Sequence, residues 1–196
     1  MAIDKYGAKR MNSPALWFAL QTKAKCEWTA LECLTFKGYE CLLPSYKQKR
    51  QWADRVVEKE LPLFPSYLFC RFNLHSPSGI GRVVSTPGVW RIVSFGGKPA
   101  AVVDDEIQAL ARVMATEVPR GPSTYIPAGV RIRIDSGPLV GIEGIRLPNG
   151  DNRKLVLSVA LLQRSVAVTL SQNTIVTVLG QSPTGQEPED IVDIAS

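Results

Sequence analysis

The side chains best suited to chemistry in this sequence are four cysteines and one histidine. Cys26, Cys33, Cys41 and Cys70 form no C-x-x-C pair, and a single histidine, His75, is a poor basis for a metal cluster. Convergence of Cys70 with His75 in the fold is the one arrangement that would suit catalysis, and nothing in the sequence supports it. We predict a protein that is not an enzyme, uses no metal or cofactor, and keeps free, mostly buried thiols in a reducing compartment.

Binding is the other chemistry that the sequence offers, and its strongest candidate is the apolar, aromatic stretch 61–72. From Ser66 onwards it predicts a buried strand. The two prolines before Ser66 cannot donate to a central ladder, so they fix the entrance to that strand. Phe64 is held between them and is either a core residue or a docking residue. Residue frequencies alone favour the core.

A second candidate is the polar, basic segment 46–60, which predicts an extended hairpin. Basic residues around an aromatic residue, here Trp52, suit phosphate and base contacts. A solvated hairpin with no specific partner explains the same charges equally well. The basic residues are Lys47, Lys49, Arg50, Arg55 and Lys59.

The charge of the chain is uneven along its length. The formal net charge is +5, and residues 1–118 carry all of it, with 16 basic and 11 acidic side chains. Residues 119–196 carry seven of each. We therefore expect any polyanion to contact the first part of the chain.

The elements that must position these residues form an α+β domain over residues 15–118, with a mainly antiparallel sheet and helices covering its faces. Predicted strands cover residues 17–22, 39–44, 66–72 and 89–93, and predicted helices cover 26–37, 78–85 and a segment starting at Asp104. In the first helix, Ala30, Leu31 and Leu34 share one face, while Glu27 and Glu32 point elsewhere. We assign Trp90 to the core.

The rest of the chain predicts a second, all-β domain. Residues 119–128 hold three prolines and a glycine without periodicity, which is typical of a linker. Five short strands between 129 and 180 predict a small five-stranded β-barrel, since closure removes open edges. Residues 1–14 predict a disordered lead-in, and residues 181–196 a disordered acidic tail.

The sequence contains no apolar segment suited to a membrane. Residues 1–13 lack the apolar core of a signal peptide, and no stretch approaches 18 apolar residues. We expect a cytoplasmic protein with no membrane contact.

Together, these features resemble the NusG family of transcription elongation and antitermination factors. The first domain is similar from Trp17 to about Ala115, and the second resembles a KOW domain with an SH3-like barrel. The motifs that carry the resemblance are WF at 17–18, LFPSYLF at 63–69, STPGV at 85–89, and VRI at 130–132 followed by SGPL at 136–139.

The resemblance implies that the first domain binds the clamp region of RNA polymerase through an apolar patch. By position, Trp17, Phe64, Pro65 and Tyr67 would form that patch. Such docking would hold the clamp closed and suppress pausing without catalysis, as a monomer. Contact with non-template DNA or nascent RNA is expected from Lys23 and Lys25, and more weakly from Lys47, Lys49, Arg50 and Arg55.

Residues 50–55 before PLFP resemble specialised paralogs such as RfaH and the UpxY-type antiterminators. In RfaH-like proteins the second domain can form a helical hairpin, whereas the alternating Val, Ile and Thr residues here predict a stable barrel. The barrel would recruit a ribosomal protein or Rho. An RNA-binding or ribosome-associated KOW protein and a polymerase-independent adaptor are the alternatives, and the neutral charge of 119–196 disfavours the first.

Overall fold

The computed structural model describes residues 14–51, 55–76, 79–123, 125, 129–146 and 153–181. Most of the predicted lead-in and tail, and Trp52 in the hairpin, lie outside these ranges. The chain divides into two compact units, Met1–Ala111 and Arg112–Ser196. No helix in the described ranges is long and apolar enough to cross a membrane.

The first unit is built on an antiparallel sheet of four strands in the order β2-β5-β1-β6. Its central strands β1 and β5 are the two apolar segments that the sequence predicted, which confirms both. β3 and β4 form a separate hairpin, as expected, and β7 and β8 form a short one. The strands are β1 (Leu16–Thr22), β2 (Glu40–Leu42), β3 (Ser45–Gln51), β4 (Val56–Pro62), β5 (Tyr67–Phe72), β6 (Val89–Ile92), β7 (Ser94–Phe95) and β8 (Lys98–Pro99).

Within the described residues, three helices accompany this sheet, α1 (Glu27–Phe36), α2 (Ile80–Val84) and α3 (Asp104–Met114). The predicted face of α1 is buried at Ala30 and Leu34. In α3 the buried residues are Ile107, Leu110 and Val113, whereas Met114 is only partly buried. α3 spans the division between the two units.

The core of the first unit uses alternate residues of the central strands. Phe18 and Leu20 of β1 pack with Leu68, Cys70 and Phe72 of β5 and with the buried face of α1. The intervening residues Trp17 and Ala19 are also buried. Burial of both faces explains why β1 reads as a continuous apolar run rather than an alternating one.

The second unit is a six-stranded antiparallel sheet in the order β14-β10-β11-β12-β13-β9. Five of its strands are those predicted from the sequence. The sixth, β9, comes from residues assigned to a linker and pairs with β13, so the sheet has one strand more than expected. The strands are β9 (Arg120–Ser123), β10 (Val130–Ile134), β11 (Glu143–Arg146), β12 (Lys154–Val159), β13 (Arg164–Thr169) and β14 (Val176–Gln181).

Alternating residues of these strands form the core of the second unit. Ile132 and Ile134 of β10, Leu155 of β12 and Val166 and Val168 of β13 are each 0 % exposed. The arrangement is consistent with the predicted KOW-type fold. Residues 160–162 form one turn of 3₁₀ helix, η1 (Ala160–Leu162), between β12 and β13.

A glycine lets two strands of this sheet approach closely. Gly144 lies inside β11 and pairs with Ile132 of β10. A Cβ atom on Gly144 would lie 2.6 Å from Leu155 Cδ1 and 2.8 Å from the Val156 carbonyl oxygen. Any side chain at this position would therefore push β11 away from β12.

We expect Gly144→Ala to destabilise the second unit by roughly 1–3 kcal/mol, because overpacking forces side chains or backbone out of place. The matched control is Gly121→Ala in β9, where a Cβ would meet no atom within 4 Å. The measurement is the urea midpoint of unfolding for both full-length variants. Equal midpoints would contradict the close approach at Gly144.

Candidate functional site

A tight turn at residues 64–67, here called the FPSY turn, leads into β5. The Tyr67 N–H donates to the Phe64 carbonyl at 3.0 Å, and the Leu63 N–H donates to the Pro44 carbonyl at 2.8 Å. Ser66 has a φ of +66°. This left-handed conformation costs a non-glycine residue roughly 1–2 kcal/mol, so other contacts must hold it.

Glu27 at the start of α1 supplies one of these contacts. One of its carboxylate oxygens accepts a hydrogen bond from the Ser66 N–H at 2.8 Å, and Glu27 is only 6 % exposed. The Ser66 carbonyl in turn accepts from the Thr22 N–H at 2.8 Å. The expectation that Glu27 points away from the buried side of α1 was wrong. Helical spacing puts Glu27 on the face of Ala30 and Leu34, and its charge argued for exposure only because its backbone partner in another segment could not be foreseen.

The FPSY turn presents its side chains unequally. Pro65 is exposed and Tyr67 is half-buried. Phe64 is 1 % exposed and packs edge-on against Phe69, with ring centroids 5.8 Å apart, and Trp17 is 7 % exposed. Only two of the four residues predicted to bind polymerase are therefore accessible in this structure.

The loop between β1 and α1, residues 23–26 and here called the lysine loop, carries the two lysines expected to contact nucleic acid. Lys23 and Lys25 are both exposed. The Lys23 N–H donates to the Gly88 carbonyl at 2.9 Å, which joins this loop to the turn at residues 86–89. Neither ammonium group forms an ion pair within the described part of the chain.

The turn at 86–89 follows directly from its sequence. Pro87 suits its second position and Gly88, with a φ of +86°, its third, and the Val89 N–H closes it on the Thr86 carbonyl at 3.1 Å. A Cβ on Gly88 would lie 3.0 Å from the Cys26 carbonyl oxygen, so only glycine lets the turn rest against the start of α1.

The basic residues of the β3–β4 hairpin have acidic neighbours across the strands. Lys47 Nζ lies 3.5 Å from Glu58 Oε1, and Lys49 is directly opposite Glu58 in the register. Arg50 lies opposite Val57, and Arg55 is exposed just before β4. The hairpin therefore offers a weaker net positive charge than its basic residues alone suggest.

Trp90 was wrongly assigned to the core. It is 56 % exposed, and the guanidinium carbon of Arg91 lies 4.8 Å from its ring centroid. Val89 and Ile92, which flank this pair, are both buried. In a regular strand, residues three positions apart point to opposite faces. The spacing of the apolar residues Val89 and Ile92 was therefore the sequence signal for a bulge that exposes the two residues between them.

Two of the cysteines face each other across the first sheet. Cys41 of β2 lies opposite Cys70 of β5. The hydrogen bond between the two thiols lowers the pKa of Cys41 and raises the pKa of Cys70, which burial raises further. All four cysteines are free, as predicted, but the expectation of mostly buried thiols was wrong, because Cys70 is buried while Cys26, Cys33 and Cys41 are partly exposed. The hydrogen-bonding partner of Cys70 is thus another thiol, and the pairing with His75 that catalysis would need is not supported.

The charge balance of the second unit also needs correction. Residues 129–180 carry six basic and three acidic side chains, so the neutral count over 119–196 depends on the four carboxylates after residue 186. Arg131 pairs with Glu143 at 2.9 Å and Arg133 with Asp135 at 3.0 Å. The described residues hold no group of three or more His, Cys, Asp or Glu side chains that could bind a metal ion.

Comparison with known proteins places most of the first unit in one family. Residues 15–111 match the family model for NusG, described as transcription termination factor NusG. This region includes the FPSY turn, the lysine loop and the Trp90–Arg91 pair.

Two solved structures show weaker similarity. One, of domain interaction in Thermotoga maritima NusG, is 20% identical, with 80% of this chain and 93% of that chain covered and a TM-score of 0.49. The other, the MjSpt4:Spt5 complex, is 15% identical, with 84% and 99% covered and a TM-score of 0.28.

We expect Glu27→Ala to destabilise the first unit by about 1–3 kcal/mol, because it leaves the Ser66 N–H without its acceptor. Glu32→Ala, an exposed glutamate of the same helix, is the control and should change stability by less than about 0.5 kcal/mol. Urea unfolding of both variants is the measurement. If the two variants unfold at the same urea concentration, Glu27 does not hold the turn.

We expect Cys41 to be alkylated at lower pH than Cys70, because the thiolate is the reactive form and the pKa is lowered for Cys41 but raised for Cys70. Cys70→Ala removes the hydrogen bond, so the pH midpoint for Cys41 should rise. Residue-resolved mass spectrometry after iodoacetamide treatment over a pH series measures both. Earlier alkylation of Cys70 would show that the thiol pair is arranged differently.

Proposed function

Because the chain belongs to the NusG family of transcription factors through residues 15–111, we propose that it is a transcription elongation factor that binds RNA polymerase. The family match is the observation that carries this proposal, since it covers every residue expected to dock. We propose that docking at the polymerase clamp suppresses pausing and termination. No step of this action requires catalysis, and it takes place in the cytoplasm.

The FPSY turn is the proposed docking element. It is fixed at both ends by backbone hydrogen bonds and at Ser66 by Glu27, so it loses little freedom when a partner binds. A few rigid aromatic side chains can supply most of the energy of an interface. Pro65 and Tyr67 are accessible for this role.

Trp17 and Phe64 complete the proposed patch only after they become exposed. Both are almost fully buried in this structure. When a site is open only part of the time, its apparent affinity is the affinity of the open form multiplied by the fraction of molecules that are open. The proposed mode of action therefore contains an opening step before these two residues contact polymerase.

The proposed nucleic-acid contact involves the same unit. Lys23 and Lys25 stand in a loop whose one neighbouring carboxylate, Glu27, is buried and occupied by the Ser66 N–H. Contacts of this kind go mainly to phosphates and weaken as salt rises. Lys47, Lys49, Arg50 and Arg55 would add weaker contacts, since the carboxylates of β4 offset part of their charge.

The second unit is proposed to recruit a further factor, either a ribosomal protein or Rho. An alternative is that this unit binds RNA, as in ribosome-associated proteins with a KOW domain. The excess of three basic side chains within residues 129–180 favours keeping that alternative. RNA binding by the full chain that persists after loss of polymerase binding would support it.

We expect Phe64→Ala and Tyr67→Ala each to weaken binding to core RNA polymerase about 30-fold or more, the effect of removing an interface hot spot. The measurement is the dissociation constant of the full-length chain from immobilised polymerase. Phe36→Ala is the control, because Phe36 is 94 % exposed and lies at the end of α1.

Loss of a buried ring can unfold the protein, so circular dichroism must show that Phe64→Ala retains its fold. Tyr67→Ala tests the same turn without emptying a fully buried site. Unchanged binding by both folded variants would move the docking surface elsewhere within the family. Absence of binding by the unmutated chain would refute the elongation-factor proposal.

A further inference from the structure

Trp90 is the extra residue of a β-bulge on an edge strand. β6 lies at the edge of the first sheet, and its pairing with β1 shifts register, with Gln21 opposite Arg91 but Thr22 opposite Val89. Trp90 falls between these pairs. Bulges redirect side chains, and here the large ring is 56 % exposed although Val89 next to it is buried.

Arg91 holds a planar cation against this ring. Its guanidinium carbon is 4.8 Å from the Trp90 ring centroid, within the range of a cation–π contact. Its Nε–H donates to Gln21 Oε1 at 2.8 Å, which fixes the guanidinium from the neighbouring strand. Trp90 and Arg91 thus form a supported platform rather than two independent surface residues.

The surroundings of this platform are positively charged. The hydrogen bond from the Lys23 N–H to the Gly88 carbonyl, 2.9 Å long, brings the lysine loop beside the start of β6. Segments 21–28 and 86–93 together hold Lys23, Lys25 and Arg91 but one carboxylate, Glu27. Since Glu27 is 6 % exposed and bonded to Ser66, the exposed charges here are all cations.

We propose that Trp90 stacks on an unpaired base of single-stranded nucleic acid, while Arg91, Lys23 and Lys25 contact the adjacent phosphates. An aromatic ring among cations suits this ligand, because a base has a π-face and each nucleotide brings one negative charge. A duplex does not fit, since its base faces are covered by stacking. This inference rests on the proposed nucleic-acid contact and adds to it the residue that binds the base.

The test is fluorescence anisotropy of labelled 12-nucleotide single strands with the full-length chain over a salt series. We expect Trp90→Ala to weaken binding roughly tenfold to a hundredfold, the effect of losing one stacked base. Trp90→Phe should restore most of the affinity. The salt slope should stay the same, because no phosphate contact is lost.

Two further variants separate stacking from charge. The double variant Lys23→Ala and Lys25→Ala should reduce the salt slope by about 1.4, or 0.7 for each single-strand phosphate contact. Phe36→Ala removes an aromatic residue that is even more exposed than Trp90 and should bind like the unmutated chain. DNA and RNA strands of the same sequence distinguish the two sources of the ligand, and a blunt duplex should compete poorly.

Each outcome decides the proposal. If Trp90→Ala binds like Phe36→Ala while the lysine variant is weakened, stacking is refuted and the nucleic-acid contact stands. If the unmutated chain binds neither strand at low salt, the stacking and the nucleic-acid contact are both refuted. The proposal of polymerase binding is tested separately, by the dissociation constant from immobilised polymerase. If Trp90→Ala affects polymerase binding but not strand binding, the platform faces a protein instead.

Discussion

The hydrogen bond from the Ser66 N–H to the buried Glu27 carboxylate is the interaction on which the first unit depends. Ser66 adopts a backbone conformation that costs a non-glycine residue free energy, and both of its backbone polar groups are used to hold it there. Through Ser66 the end of β1, the start of α1 and the entrance to β5 meet at one point. The FPSY turn and the lysine loop leave from that point, so the two candidate interfaces share one support.

Burial divides the proposed polymerase patch into two layers. Pro65 and Tyr67 face solvent at least in part, whereas Phe64 and Trp17 are almost fully buried. A buried aromatic side chain contributes to binding only after it leaves the protein interior. Its net contribution to the binding free energy is therefore the difference between its burial in the interface and its burial in the free protein. The accessible pair can bind without that exchange, so within the proposed patch it would engage polymerase before Phe64 and Trp17 do.

Patterns that depend on local periodicity were predicted correctly from the sequence, and features that depend on a distant partner were not. Alternation and apolar runs located β1, β5 and five strands of the second sheet, because the apolar residues of a strand themselves determine which of its faces is buried. β9 was missed since its sequence, with Gly121 next to Pro122, shows no apolar alternation, and its strand exists through pairing with β13. Glu27 and Trp90 were misplaced for related reasons, one because its partner lies 39 residues away and the other because a register shift reversed its face.

The two candidate interfaces differ in the physics of their attraction. The FPSY turn offers apolar surface, whose contribution scarcely depends on salt, while the lysine loop and the Trp90–Arg91 platform offer cations, whose attraction extends about 10 Å at 0.1 M salt. Electrostatic attraction over this distance raises the rate of association with a polyanion, and burial of apolar surface lowers the rate of dissociation. Ser66 and Gly88 hold both surfaces to the same ends of β1 and α1. The proposed function therefore implies that an elongation complex is reached first through its nucleic acid and then retained through its polymerase.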